Sequence, residues 1–112
     1  MINGTKIFTS NGTLGDYIQV FCKTNPEEPG RHNRYSLIRV ETDREGYEAN
    51  KLKNKLGIRV ADTAEVVFKD ARVPVTNRIG NEKEGFRMIL ALFNRERITR
   101  DVPRPPVSPR GP

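Results

Sequence analysis

The sequence has 112 residues, enough for one domain and too few for two. Hydrophobic residues make up 35% and charged residues 30%, which is polar for a globular protein but still leaves material for a core. No apolar run approaches the roughly 20 residues of a membrane span, so a transmembrane helix is excluded. The start, Met-Ile-Asn-Gly-Thr-Lys, lacks the apolar segment of a secretory signal. The single cysteine, Cys22, excludes an internal disulfide and a zinc cluster. It fits a reducing compartment.

The formal charge is +6, of which residues 100–112 carry +2 through three arginines against Asp101. The densest basic run is Lys51-Leu-Lys53-Asn-Lys55. No aromatic residue interleaves it and no helix-turn-helix or RNA-binding signature accompanies it. It reads as a solvated face, and nucleic acid is not an expected partner.

In chain order, Lys6–Ser10 is a short β-prone stretch framed by Asn3-Gly4 and Asn11-Gly12. Asn-Gly is a strong hairpin-turn signal because both residues tolerate positive φ. Only Met1 and Ile2 precede Asn3, so either this pair is a capping loop or the chain begins partway through a domain. The second reading is preferred. Both pairs continue as Asn-Gly-Thr, the glycosylation pattern, but without a secretory signal they are better explained as turns. Tyr17–Cys22 alternates, with Ile18, Val20 and Cys22 on one face, where a buried, inert thiol is expected.

Pro26, Glu27, Glu28, Pro29 and Gly30 form an exposed loop, and His32, beside it, is expected at the surface. Leu37–Glu41 and Glu65–Lys69 read as further strands, with a shorter one over Ile58–Ala61. Phe86, Ile89, Leu90 and Phe93 then follow helical spacing across residues 82–99. Asn81 with Glu84 resembles a capping box, with acids expected in the first turn. Five prolines fall after residue 102, which predicts a disordered, partly polyproline-II tail over residues 100–112. Strands followed by one helix make the chain α+β: an incomplete antiparallel β-barrel or sandwich, one amphipathic helix and the tail.

At about 100° per residue, Glu96 projects between the directions of Leu92 and Ile89, and Arg97 between those of Phe86 and Leu90. A carboxylate among apolar neighbours has a raised pKa and suits a general base. The same spacing also allows Glu96 simply to pair with Arg100 one turn on. No phosphate-binding glycine loop and no metal-ligand cluster is present in the sequence.

Three segments together resemble the acyl-CoA dehydrogenases. Ile2-Asn-Gly-Thr-Lys-Ile-Phe-Thr-Ser-Asn-Gly12 is similar to a hairpin of their middle β-domain, N-G-x-K-x-W-I-T-N. Lys55-Leu-Gly-Ile-Arg-Val-Ala-Asp-Thr-Ala-Glu-Val-Val-Phe-Lys-Asp-Ala-Arg-Val-Pro74 is similar to K-L-G-x-R-x-S-D-T-x-x-x-x-F-x-D-V-x-V-P. Asn77-Arg-Ile-Gly80, Glu84-Gly-Phe86 and Phe93-Asn-Arg-Glu-Arg-Ile98 continue the likeness into the first helix of the C-terminal helical domain. The resemblance spans residues 2–99 and implies three regions. These are a partial middle β-domain (1–78), the first helix of the helical domain (79–99) and the Pro-rich tail (100–112).

The resemblance implies an FAD enzyme that oxidises the Cα–Cβ bond of an acyl-CoA. In the family a glutamate takes the α-proton and hydride leaves Cβ for the flavin. Electrons then pass to an electron-transfer flavoprotein, and the parent enzyme is a homotetramer or homodimer. Phe8 stands where relatives carry a tryptophan beside the flavin, and Ser10 where a hydroxyl reaches the ring, with Thr9 between them. Asn94 and Arg97 match substrate-contacting positions, and Glu96 matches the base of the isovaleryl- and long-chain-type members. The upstream T-E-P-x-x-G-S-D segment and most helices of the family are absent from the sequence. The expectation is therefore a fragment, inactive as an isolated chain. The alternative is a non-catalytic β-sandwich binding module with a Pro-rich tail.

Overall fold

A computed structural model describes residues 1–101; the Pro-rich stretch from residue 102 onward lies outside the described residues. Six strands precede one helix: β1 (Ile2–Ser10), β2 (Tyr17–Lys23), β3 (Tyr35–Glu41), β4 (Tyr47–Lys51), β5 (Thr63–Ala71), β6 (Arg78–Ile79) and α1 (Gly85–Asp101). The strands form two three-stranded antiparallel sheets, ordered β1-β5-β4 and β2-β3-β6. The expected open α+β arrangement is what forms, and no helix among the described residues is long and apolar enough to cross a membrane.

The core lies between the sheets. Alternation along β5 turns Ala64, Val66 and Phe68 inward, where they meet Val20 and Val40 of the other sheet. Ile18 and Cys22 pack against this cluster from the face that the alternation assigned to them. Cys22 is only half-buried, less than expected, and desolvation pushes its thiol above the ordinary range. The buried hydroxyl of Ser36 is satisfied by that of Thr24 at 2.9 Å.

Several expectations are corrected. Asn3-Gly4 is not a turn but part of β1, at a bulge where Gly4 adopts φ 139°. The Asn3 side chain engages Asp70 on β5 instead, accepting its amide N–H at 2.7 Å and donating to its carboxylate at 2.9 Å. Asn11-Gly12 does turn the chain, but no hairpin results, because β1 pairs with β5 while β2 pairs with β3. The turn carries the chain from one sheet to the other. Ile58–Ala61 forms no strand; Ile58 and Val60 are 81% and 98% exposed with no neighbour to pair with.

Strand β4, Tyr-Glu-Ala-Asn-Lys, escaped the sequence reading because it is poor in β-branched residues. Its pairing with β5 makes it a strand, and Tyr47 packs edge-on against Phe68 at 5.7 Å. The helix begins at Gly85 rather than residue 82, and no acid lies in its first turn. Glu84 precedes it and receives the Asn81 amide at 3.3 Å, half of a capping box placed one turn early.

Helix α1 packs on β3 and β2 through its first turns. A Cβ on Gly85 would lie 2.7 Å from the Ser36 main chain, so the helix can approach this closely only because residue 85 has no side chain. The 24–34 loop folds over the same end: His32 stacks on Phe86 at 4.2 Å, and Lys83 pairs with Glu28 at 2.9 Å. His32 is exposed, as expected, but it is also a docking contact for the helix.

Candidate functional site

Phe8, Thr9 and Ser10 close β1. The ladder to β5 slips between Lys6 and Thr9, and Phe8 sits at φ 61° inside that irregularity. A bulge re-aims the side chain it carries, and the Phe8 ring is 71% exposed. Pairing resumes at once, Thr9 with Ala64 and Ser10 with Thr63. The result is an outward-facing aromatic ring followed by two hydroxyl residues on a hydrogen-bonded strand end. A left-handed non-glycine residue costs on the order of 1–2 kcal/mol, so the surrounding fold must enforce it.

A hydrogen-bonded turn follows directly. Asn11 is also left-handed, at φ 56°, and its amide donates to the Asp62 carbonyl at 3.2 Å. The Asp62 carboxylate accepts the Thr13 amide at 3.0 Å and the Thr13 hydroxyl at 2.8 Å. Those hydrogen bonds, with Lys51 Nζ at 3.8 Å, hold this buried carboxyl below the usual range. The Tyr47 hydroxyl donates to the Gly12 carbonyl at 2.6 Å from beneath the turn. Asp62 lies in the Lys55–Pro74 segment quoted for the resemblance, and Thr13 one residue beyond the Ile2–Gly12 segment, in the Asn-Gly-Thr turn. Nothing in the spacing shows that residues 49 apart meet.

Asn94, Glu96 and Arg97 lie on the distal half of α1, and all three are exposed. The apolar stripe is half-buried at Phe86 and Ile89, but Leu90 and Phe93 are 44% and 46% exposed, and Ile98 is 70% exposed. The apolar surroundings expected for Glu96 are therefore not supplied by the described residues, because the sheet ends beneath the first turns. Phe8–Ser10 and Glu96 stand on separate supports: β1 belongs to one sheet, while α1 rests on the other. A cavity of about 360 Å³ opens between β1 and β2, lined by residues 1–6 and 20–24 with Ile38 and Phe68. None of the named site residues lines it.

An aromatic face beside hydroxyl donors, fixed on a strand rather than a loop, can take a planar ring that carries hydrogen-bond acceptors. No cluster of metal-ligating side chains occurs among the described residues.

Comparison with known proteins identifies the family. The family described as acyl-CoA dehydrogenase, middle domain, matches residues 1–71. The rat mitochondrial long-chain specific acyl-CoA dehydrogenase is 35% identical over 98 residues, 88% of this chain and 23% of that protein. An acyl-CoA dehydrogenase of Bacillus subtilis is 38% identical over 98 residues, covering 88% and 25% respectively. The crystal structure of acyl-CoA dehydrogenase from Geobacillus kaustophilus superposes with a TM-score of 0.81 at 40% identity, over 86% of this chain and 25% of that one. The chain thus spans about a quarter of the length of the curated relatives it matches. With residues 1–71 inside the middle-domain family and the likeness continuing over 98 residues, this chain belongs to the acyl-CoA dehydrogenase family.

Proposed function

We propose that this chain supplies the flavin-facing wall of an FAD-dependent acyl-CoA dehydrogenase, which introduces a Cα–Cβ double bond into an acyl-CoA thioester. The observation that carries the reading is the strained, exposed Phe8 on a fixed strand end, in a chain that belongs to this family. When bound, FAD supplies the hydride acceptor. Phe8 provides an apolar surface for the ring, and Thr9 and Ser10 provide hydroxyl donors. Arg97 and Asn94 hold the acyl-CoA, and Glu96 takes the proton from its α-carbon. The likeness to a long-chain specific relative supports Glu96 in that role.

General base catalysis needs a carboxylate shielded from water, and the described residues leave Glu96 exposed. The catalytic environment is therefore completed by protein outside these residues, and the isolated chain is expected to be inactive. Electrons leave through an electron-transfer flavoprotein, and the working enzyme is a homotetramer or homodimer in the cytoplasm or, in a eukaryote, the mitochondrial matrix.

Two experiments test this. Titrating FAD into a ¹⁵N-labelled apo chimera, the Bacillus subtilis relative carrying residues 2–99 in place of its matching segment, is expected to shift the Phe8, Thr9 and Ser10 amides; shifts confined to other residues would remove the flavin role. The FAD-loaded form of that chimera would keep acyl-CoA-dependent flavin reduction. Glu96→Gln in that chimera is expected to slow the reduction about 100-fold or more. An unimpaired rate would assign the base elsewhere.

A further inference from the structure

The Phe8–Ser10 ledge is held from one side by the β5 ladder, and that ladder stops at Ser10. Beyond it the chain must pass through Asn11, a second left-handed residue, before reversing toward β2. The 11–15 turn closes on itself through the Leu14 and Gly15 amides on the Asn11 carbonyl, and hydrogen bonds to Asp62 tie its start to the segment that leads into β5. The Asp62 main-chain carbonyl takes the Asn11 amide, and its carboxylate takes both the amide and the hydroxyl of Thr13. The carboxylate side chain has no exposed surface, and a buried charge is costly unless it is paired and fully hydrogen-bonded.

Two lysines of the basic run reach the same place. Lys51 approaches the Asp62 carboxylate at 3.8 Å, while Lys55 Nζ donates to the Ala61 carbonyl and to Thr63 Oγ1 at 3.1 Å, bracketing Asp62 in the chain. Gly12 lets the turn settle on β5, since a Cβ there would lie 2.9 Å from that of Ala64. A buried residue serving only to fill space would be apolar. Asp62 instead spends its hydrogen bonds on the main chain of the segment adjoining the ledge.

We propose that Asp62, acting through Thr13, is a positioning residue that fixes the Phe8–Ser10 ledge in the conformation that receives the flavin. The inference rests on the flavin reading given above. It assigns no contact between Asp62 and the cofactor; its action is on the turn, and through the turn on the ring of Phe8 and the hydroxyls of Thr9 and Ser10.

The test uses the same ¹⁵N-labelled apo chimera, either unsubstituted (wild type) or carrying the variants below, with FAD as the probe. Wild type is expected to bind with shifts at Phe8, Thr9 and Ser10. Thr13→Ala keeps the amide donor and removes the hydroxyl. It is expected to move the free-state Thr9 and Ser10 amides and to weaken FAD binding about tenfold, the scale of one hydrogen bond to a charged group. Thr13→Ser restores the donor and is expected to recover the affinity. Asp62→Asn is expected to lose more, and Thr13→Ala keeps the test decisive if that variant does not fold. Thr13→Ala with a lowered melting temperature but wild-type FAD affinity would show a merely structural clamp and overturn the proposal. Wild type that binds no FAD at the ledge would overturn the flavin reading and this inference together. Wild-type binding with an unaffected Thr13→Ala would overturn this inference alone.

Discussion

Glu41 sits at the end of β3 with two neighbours hydrogen-bonded to its carboxylate. Arg44 donates from Nη2 at 2.7 Å and Nε at 3.1 Å, and Asn77 Nδ2 donates at 2.8 Å. The Arg44 hydrogen bonds, followed by those of the main chain and Asn77, lower its pKa from 4.5 to about 2. A carboxyl whose folded value is depressed binds fewer protons when folded than when unfolded. Its stabilisation is full above pH 4.5 and disappears as pH falls toward 2. Asp62, also lowered, contributes in the same direction. Melting temperature is thus expected to fall across this acid range, and Glu41→Gln to fall less steeply than wild type; coincident pH profiles would refute the assignment. Cys22 behaves in the opposite sense, because burial favours its neutral thiol over the reactive thiolate. Alkylation by iodoacetamide near neutral pH should be several-fold slower in the folded chain than in urea. Equal rates would place the thiol in solvent.

At the scale of elements, the two ends of α1 differ. Its start is anchored by Gly85 against β3 and by Phe86 under His32, whereas its far half exposes Leu92, Phe93 and Ile98. A helix draws most of its stability from tertiary packing, so the unsupported half should open readily. Amide hydrogen exchange is expected to be slowest near Met88 and to quicken steadily toward Ile98; uniform protection along α1 would contradict this. Gly85→Ala sets two effects against each other. Helix propensity favours alanine by about 1 kcal/mol, but the added Cβ meets Ser36 main-chain atoms at 2.7 Å, where no flexible side chain can yield. The clash should win, so Gly85→Ala is expected to destabilise the protein in a denaturant titration.

At the scale of the molecule, two small sheets share one thin core. Phe68 is 3% exposed, and its truncation to alanine should cost about 3–5 kcal/mol, a large part of the stability of so small a domain. Between the sheets, β1 and β2 face each other across the 360 Å³ cavity with their outer edges unpaired among the described residues. Lys6 bridges this seam, its Nζ donating to the Phe21 carbonyl at 3.2 Å. A lysine on an open strand edge also discourages edge-to-edge association. Lys6→Val should therefore increase self-association in sedimentation velocity at equal protein concentration; an unchanged monomer fraction would show that the edge is protected by other means.

Sequence alone determined the elements whose signal is local. Alternation marked β2, β3 and β5, spacing of 3 and 4 marked α1, and the Lys55–Pro74 motif marked the family. It also marked Phe8, Thr9 and Ser10, because those residues form a contiguous motif. Tertiary structure decided whatever depends on a partner distant in the chain. Tyr47–Lys51 becomes a strand only beside β5, Ile58–Ala61 fails to become one for want of a neighbour, and Asn3-Gly4 extends a strand because Asp70 receives its side chain. The same reason hid Asp62 and Thr13: hydrogen bonds across 49 residues leave no periodicity to read. It also separates the two halves of the candidate site, since only packing shows that the sheet ends before it can shield Glu96.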